Sequence, residues 1–232
     1  MSETERVNTY TLRLPQWTPH RAGQHYDLRL TAPDGYQTER SYSIASPPEQ
    51  IGEIALTVEL INGGEVSGYL YEGVAVGDKL EVRGPIGGYF VWPIDGVAAP
   101  LLLVAGGSGL VPLMAMLRHR QRAGLANPVV LLFSVRSPDE VIYQHELEAL
   151  AQTDPTFTLL LTYTRRAPVG WVGYRRRLDA AMLAEARGYL PGPPQCYVCG
   201  PTGLVEKAAT LLQAQGLPDN AIRTERFGPT GS

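Results

Sequence analysis

Two kinds of periodicity divide the chain. Up to about Trp92, apolar and polar residues mostly alternate, as in Tyr10-Thr11-Leu12-Arg13-Leu14, Tyr26-Asp27-Leu28-Arg29-Leu30, Ile54-Ala55-Leu56-Thr57-Val58-Glu59-Leu60 and the shorter Lys79-Leu80-Glu81-Val82-Arg83. A period of two is the mark of a half-buried strand. Pro and Gly clusters separate the runs: Ala32-Pro33-Asp34-Gly35, Ser46-Pro47-Pro48, Asn62-Gly63-Gly64 and Gly84-Pro85. Short strands at this spacing predict an antiparallel barrel or sandwich. A single helical turn is expected from Ser67 to Tyr71.

From Pro100 onward the pattern changes. Leu101-Leu102-Leu103-Val104-Ala105 is a continuous apolar run, as in a strand buried on both faces. Leu110, Leu113, Met114 and Leu117 then recur at helical spacing. Val129 to Phe133, Thr158 to Thr162, Tyr197-Val198 and Ile222 to Phe227 read as further strands. Ser137-Pro138-Asp139-Glu140 combines a Ser cap, Pro at the first helical position and Glu three residues after the cap, predicting a helix to about Ala151. Other helices are expected from Leu178 to Ala186 and from Leu204 to Gly216. Alternating strands and helices predict a parallel sheet covered on both faces. The change of pattern puts the domain boundary in Pro93-Ile94-Asp95-Gly96-Val97-Ala98-Ala99, giving units 1–96 and 97–232.

The 232 residues leave room for two small domains, each able to bury a core. Hydrophobic residues at 44% and charged residues at 19% describe a globular chain rather than a disordered one. A net charge of -3 argues against a nucleic-acid partner, which would favour a basic surplus. The 2 cysteines, Cys196 and Cys199, exclude a disulfide scaffold, a four-cysteine zinc site and an iron–sulfur cluster held by four thiolates of this chain. No other metal site is expected, because the four histidines show no ligand spacing. The start from Met1 to Arg6 is polar and lacks the pattern of a signal peptide. The most apolar window, Val97 to Gly107, contains Pro100 and falls short of the ~20 residues of a membrane span. These features predict a cytoplasmic chain with no membrane span.

Several short motifs fall where ligands bind in such a plan. Gly106-Gly107-Ser108-Gly109-Leu110-Val111-Pro112 joins a buried strand to a helix, where backbone N–H groups can meet a phosphate. Pro112 stands in place of the third glycine of the full dinucleotide fingerprint, and Leu110 in place of the closing glycine of a nucleophile elbow. Any tight strand-to-helix turn also favours glycine. In Arg40-Ser41-Tyr42-Ser43, period two puts Arg40 and Tyr42 on one face, where they could clamp a phosphate and stack a flat ring or form a plain surface pair. Gly64-Glu65-Val66-Ser67 offers a Ser cap and free N–H groups, as does any capped turn. Cys196 and Cys199 point to opposite faces of a strand, so they form neither a redox pair nor a metal half-site. Cys196 reads as core. Cys199-Gly200-Pro201-Thr202 lies at the carboxyl end of a parallel strand. His119 with Arg118, Arg120 and Arg122 reads as a basic end complementing a helix dipole.

In this order along one chain, Arg40-x-Tyr42-Ser43, Gly64-x-x-Ser67, Gly106-Gly107-x-Gly109-x-x-Pro112, Cys199-Gly200-Pro201 and Glu225-x-Phe227-Gly228-Pro229 resemble the ferredoxin–NADP reductase superfamily over essentially the whole length. The tail looks most like flavohaemoglobin-type reductase modules. The resemblance implies a six-stranded antiparallel flavin-binding barrel followed by a doubly wound α/β domain for a nicotinamide nucleotide. It implies that Arg40 contacts a flavin phosphate, Tyr42 packs on the isoalloxazine and Ser43 hydrogen-bonds near flavin N5. Gly64, Glu65, Val66 and Ser67 would bind the pyrophosphate. Gly106, Gly107, Gly109, Pro112, Gly200, Pro201 and Thr202 would line the dinucleotide site. Cys199 would sit near the nicotinamide, with Glu225 and Phe227 covering the site. FAD is expected rather than FMN, since most relatives with these motifs use it.

The second strand of the nucleotide domain ends in Ser134-Val135-Arg136-Ser137, with no acid before Asp139 to hold a ribose 2′-hydroxyl. Thr164-Arg165 resembles the pair that contacts the 2′-phosphate in NADP-using relatives. NADPH is therefore favoured over NADH. The electrons are expected to pass to a separate protein: a ferredoxin, a flavodoxin, or a haem or molybdenum protein. Reduction of free flavin or ferric complexes, or service as a non-catalytic flavin-binding subunit, are the alternatives.

Overall fold

A computed structural model describes residues 1–93 and 99–228. The expected boundary between 96 and 97, and Pro229 of the tail motif, lie outside the described residues.

The first part holds six antiparallel strands in two three-stranded sheets. One has the order β1 (Ser2–Thr4), β2 (Val7–Arg13), β5 (Glu53–Glu59). The other has the order β4 (Gln37–Ser43), β3 (His25–Thr31), β6 (Glu81–Ile86). An antiparallel bridge between Ile44 and Leu56 joins the two at the end of β4. The alternation forms these strands because each buries one row of side chains. Tyr26, Ile44, Ile54 and Leu56 make one cluster, while Leu28, Val58, Val66 and Leu70 make another. Strand β1 escapes the apolar pattern because its residues, Ser-Glu-Thr, are polar and are held by pairing to β2. Helix α1 (Glu65–Glu72) is longer than the single turn expected, and seals the barrel with Val66 and Leu70.

The second part is a parallel five-stranded sheet in the order β11 (Ile222–Phe227), β10 (Gln195–Pro201), β7 (Leu101–Gly106), β8 (Val129–Val135), β9 (Phe157–Tyr163). Helices α2 (Leu110–Arg122), α3 (Gln144–Thr153), α4 (Ala180–Gly188) and α5 (Thr202–Ala214) cover it. Strands β7 and β8 are buried at every residue, as their continuous apolar runs require. Cys196 packs in the cluster on one face of this sheet and Cys199 in the cluster on the other, as strand geometry demands.

The expected helix from Ser137 to Ala151 is broken. Pro138–Glu140 makes one 3₁₀ turn with no side-chain cap from Ser137, and α3 starts separately after Tyr143. Tyr143 has left-handed backbone (φ 55) and is buried, so a continuous helix through it is impossible. Helix α2 also differs from a one-sided amphipathic helix. Every residue from Leu110 to Leu117 is buried, because the barrel covers the face that the sheet does not. The shared core joins Ala45, Phe90 and Trp92 of the first part to α2 and the sheet. Tyr197 of β10 donates its hydroxyl to the Val91 carbonyl at 3.1 Å, pinning the two parts together.

Candidate active site

The order in which the chain adds strands to the sheet reverses between β7 and β10. From β7 the order runs outward to β8 and β9, and from β10 outward to β11. Such a switch point leaves a crevice at the carboxyl ends of the strands. The Gly-rich turn leaves β7 on one side of it, and Cys199-Gly200-Pro201 leaves β10 on the other. Glu225 of β11 lies opposite Cys199 in register. The Gly107–Gly109 turn also packs against barrel strand β5 as well as β10 and β11, so the crevice opens toward the barrel.

The glycines here do two different jobs. A Cβ on Gly109 would lie 2.3 Å from the Cys199 carbonyl oxygen and 2.6 Å from Gly200 Cα, so Gly109 lets α2 seat against β10. Gly107 has φ +53 and nothing within 4 Å of an added Cβ, so its backbone faces open space where a ligand can approach. Pro112 is buried inside α2, and shapes the first helical turn without offering a contact surface. Thr202 begins α5, and both Thr202 and Gly203 are exposed beside the crevice.

Cys199 is fully buried, and its thiol meets Glu225 Oε2 at 3.9 Å. Burial, and then the neighbouring Glu225, push the Cys199 thiol well above its ordinary value, so it stays protonated and can donate. Burial pushes the Glu225 carboxyl up to about 7, with the Cys199 hydrogen bond opposing. Phe227 packs at the edge of the interdomain core.

On the barrel side, Tyr42 lies opposite Tyr26 and is half-buried between the two barrel clusters. Burial raises its phenol to about 12, so the ring is neutral. Arg40 is exposed and carries no ion pair among the described residues; its guanidinium donates to the Glu39 carbonyl at 2.7 Å. Ser43 Oγ is buried without a hydrogen-bond partner among the described residues. Such an orphan is costly unless something else satisfies it. Gly64 caps α1 with no side-chain bond, leaving the first-turn N–H groups of Glu65, Val66 and Ser67 for an anion. Ser67 does not serve as the cap: its Oγ accepts from Ile61 N at 3.1 Å and donates to Gly64 O at 3.3 Å. Val66 is core, and Glu65 accepts from the Tyr36 hydroxyl at 3.1 Å.

Arg136, Thr164 and Arg165 are not at the switch point. They lie at the carboxyl ends of β8 and β9, tied together by Arg165 N donating to Arg136 O at 3.0 Å. Arg136 pairs with Glu140 at 2.8 Å, and Arg166 pairs with Asp139. Arg165 is exposed and carries no ion pair among the described residues. The basic end of α2 is not a simple dipole complement either. Arg118 pairs with Glu146, His119 with Glu49 and Arg120 with Asp154, all across to other elements. The sequence reading missed this set because helical spacing shows which residues share a face, not what lies opposite. A surface cavity of about 650 Å³ beside Arg187, Leu190 and Pro193 lies at the amino ends of the strands and holds none of these motifs.

An unpartnered Ser43 hydroxyl, an uncapped α1, an exposed Arg40 with no ion pair among the described residues and an open Gly107 fit a flavin and a nucleotide bound on either side of one crevice. They define a two-domain oxidoreductase that binds FAD and a nicotinamide nucleotide. Comparison with known proteins agrees. Residues 2–91 match the family described as "Oxidoreductase FAD-binding domain", and residues 103–210 the one described as "Oxidoreductase NAD-binding domain". The chain is 34% identical over 210 residues to the glycine betaine monooxygenase reductase subunit of Pseudomonas aeruginosa, covering 90% of this chain and 56% of that protein. It thus spans a little over half the length of such relatives. It is 35% identical over 211 residues to ferredoxin–NADP reductase B of Sorangium cellulosum, covering 89% of this chain and 84% of that protein. The fold is that of the flavohaem-like FAD/NAD-binding domain of nitric oxide dioxygenase from Vibrio cholerae O1 biovar El Tor (TM-score 0.85, 23% identity, 98% and 95% coverage). The chain belongs to the ferredoxin–NADP reductase family.

Proposed function

We propose that this protein oxidises NADPH, reduces its bound FAD and passes the electrons to a separate redox protein in the cytoplasm. The observation that carries this reading is the crevice itself. The Cys199–Glu225 pair and the open Gly107 backbone stand on its sheet side, and β4, with the orphan Ser43 hydroxyl, lies across the Ile44–Leu56 bridge from the barrel strand that the Gly-rich turn touches. Bound FAD supplies two-electron acceptance and one-electron release, which the protein's side chains cannot.

The side chains orient and protect. The Ser43 hydroxyl would hydrogen-bond the flavin edge, the Tyr42 ring would support its face, and Arg40 with the α1 N–H groups would hold its phosphates. The protonated Cys199 thiol and Glu225 would flank the reacting end of a bound nicotinamide. Glu225, once ionised, supplies negative charge where positive charge develops. Phe227, packed at the edge of the shared core, would cover the flavin face.

The free Arg165 supports NADPH, because Arg136 and Arg166 are already paired with carboxylates and Arg165 is not. A charge-assisted bond to a phosphate contributes about 1.5–3 kcal/mol. Arg165→Ala is therefore expected to lower the NADPH-over-NADH preference in kcat/KM about 10- to 100-fold, almost wholly through KM. An unchanged ratio in steady-state kinetics with both nucleotides would remove Arg165 from the 2′-phosphate site.

The acceptor is a one-electron carrier of the ferredoxin, flavodoxin, haem or molybdenum class. The name of the Pseudomonas aeruginosa relative, a monooxygenase reductase subunit, supports electron delivery to a separate component. Anaerobic addition of NADPH to the flavin-loaded protein tests the reading directly: the flavin absorbance bleaches within seconds. Persistence of the oxidised spectrum with both nucleotides would overturn it. Fast turnover with added free flavin but none with protein acceptors would move the assignment to a flavin reductase.

A further inference from the structure

Helix α2 begins at the Gly-rich turn and ends against the barrel. Leu110 to Arg118 spans about 12 Å at the helical rise of 1.5 Å per residue. This stretch is a strut buried on all sides up to Leu117. At its far end the Arg118 guanidinium is fixed from three directions. Nη1 donates to the Ala45 carbonyl at 2.7 Å, two residues beyond Ser43. Nε and Nη2 donate to Glu146 at 2.8 and 2.5 Å, fork to carboxylate. The planar group also lies 4.7 Å from the centre of the Tyr143 ring.

Tyr143 is the second half of the arrangement. Its hydroxyl hydrogen-bonds to Thr57 Oγ1 of barrel strand β5, and Thr57 Oγ1 is 2.8 Å from Thr9 Oγ1 of β2. Its left-handed backbone is the one positive φ among the described non-glycine residues. Strain of that kind persists where the surroundings over-determine it. The ring stacked on Arg118 and the hydroxyl on Thr57 do so here.

We infer that Arg118 is a positioning residue for hydride transfer, holding the end of the Ser43 strand in fixed register with the Gly-rich turn through α2. This rests on the reading of the crevice as the hydride-transfer site. The strut matters because transfer between two rings held by different domains tolerates little displacement, and about 1 Å of misplacement can cost about 100-fold in rate. Lysine cannot substitute: it lacks both the planar face for Tyr143 and the fork for Glu146.

The test uses the flavin-loaded full chain carrying nitroxide labels at Lys79→Cys in the barrel half and Gln152→Cys on α3, both exposed positions. The native cysteines are buried and escape labelling. Into this parent are placed Arg118→Lys, Arg118→Met and Tyr143→Phe. In the Arg118 variants the pulsed-EPR distance distribution is expected to broaden. The limiting rate of flavin reduction is expected to fall about 30-fold, with half-saturating nucleotide changed less than threefold. Tyr143→Phe should do the same more weakly. A lowered melting temperature with unchanged distances and a limiting rate within twofold would overturn the inference, since Arg118 would then be structural only. Should the parent itself fail to bleach, the reductase reading falls, while the label distances still decide whether Arg118 sets the register.

Discussion

Glu225→Gln is expected to slow flavin reduction by NADPH about 100-fold at pH 8 and by only a few fold at pH 5.5. Burial lifts the Glu225 carboxyl to about 7, so the side chain is largely neutral at the lower pH and ionised at the higher one. Gln reproduces the neutral form and never the charged one. Removing one pre-organised electrostatic group from such a site typically costs about 100- to 1000-fold. The wild-type rate therefore rises with pH through about 7, and that ionisation vanishes in the variant. Stopped-flow reduction across the pH range checks both points. Retention of an ionisation near 7 in the Gln variant would assign it to another group.

The same substitution has an opposite effect on stability. The folded carboxyl titrates at about 7, against an ordinary 4.5. Between those values the folded state keeps a proton that the unfolded chain has released, so the contribution is full below about 4.5 and lost as pH rises through about 7. Linkage puts the loss at up to about 3 kcal/mol. The stability of the Gln variant relative to wild type should therefore rise from pH 4.5 to pH 8, as read from denaturant midpoints. Glu225 would then be a group that costs stability at the pH where it serves the chemistry.

Gly109→Ala is expected to destabilise the protein by about 3–5 kcal/mol, at the upper end for single substitutions. The new methyl would meet main-chain atoms of Cys199 and Gly200 at 2.3–2.6 Å. Backbone in a central strand cannot swing aside as a flexible side chain does, so the start of α2 must lift from β10. Gly107→Ala is the control. It meets no atom within 4 Å and bears only the strain of φ +53, about 1–2 kcal/mol. Urea unfolding of both variants decides the matter: equal losses would show that close approach at Gly109 is not the limiting contact.

Much of the placement of these candidate residues on strands and turns was readable along the chain. Arg40, Tyr42 and Ser43 fall on a strand, Gly106 to Gly109 on a strand-to-helix turn, and Cys199 at a strand end because each lies next to a clear period-two or continuous apolar run. The misreadings share a cause. Ser67 looks like a cap, yet its hydroxyl turns back to Ile61 and Gly64. Ser137-Pro138-Asp139-Glu140 looks like the start of a long helix, yet burial of Tyr143 between Arg118 and Thr57 interrupts it. In both, a local signal met a tertiary contact that was stronger.

Local sequence by itself determined the two architectures, the turn chemistry and the pairing of opposite faces that separates Cys196 from Cys199, because these depend on residues a few positions apart. Only the tertiary structure decided that β10 lies beside β7, that Glu225 stands opposite Cys199, and that Arg118 reaches Ala45. Those contacts join positions 26 to 94 residues apart in the chain. Their free energy comes from burial and hydrogen bonds made across the shared core of the two halves, and no periodicity encodes which distant partner completes them.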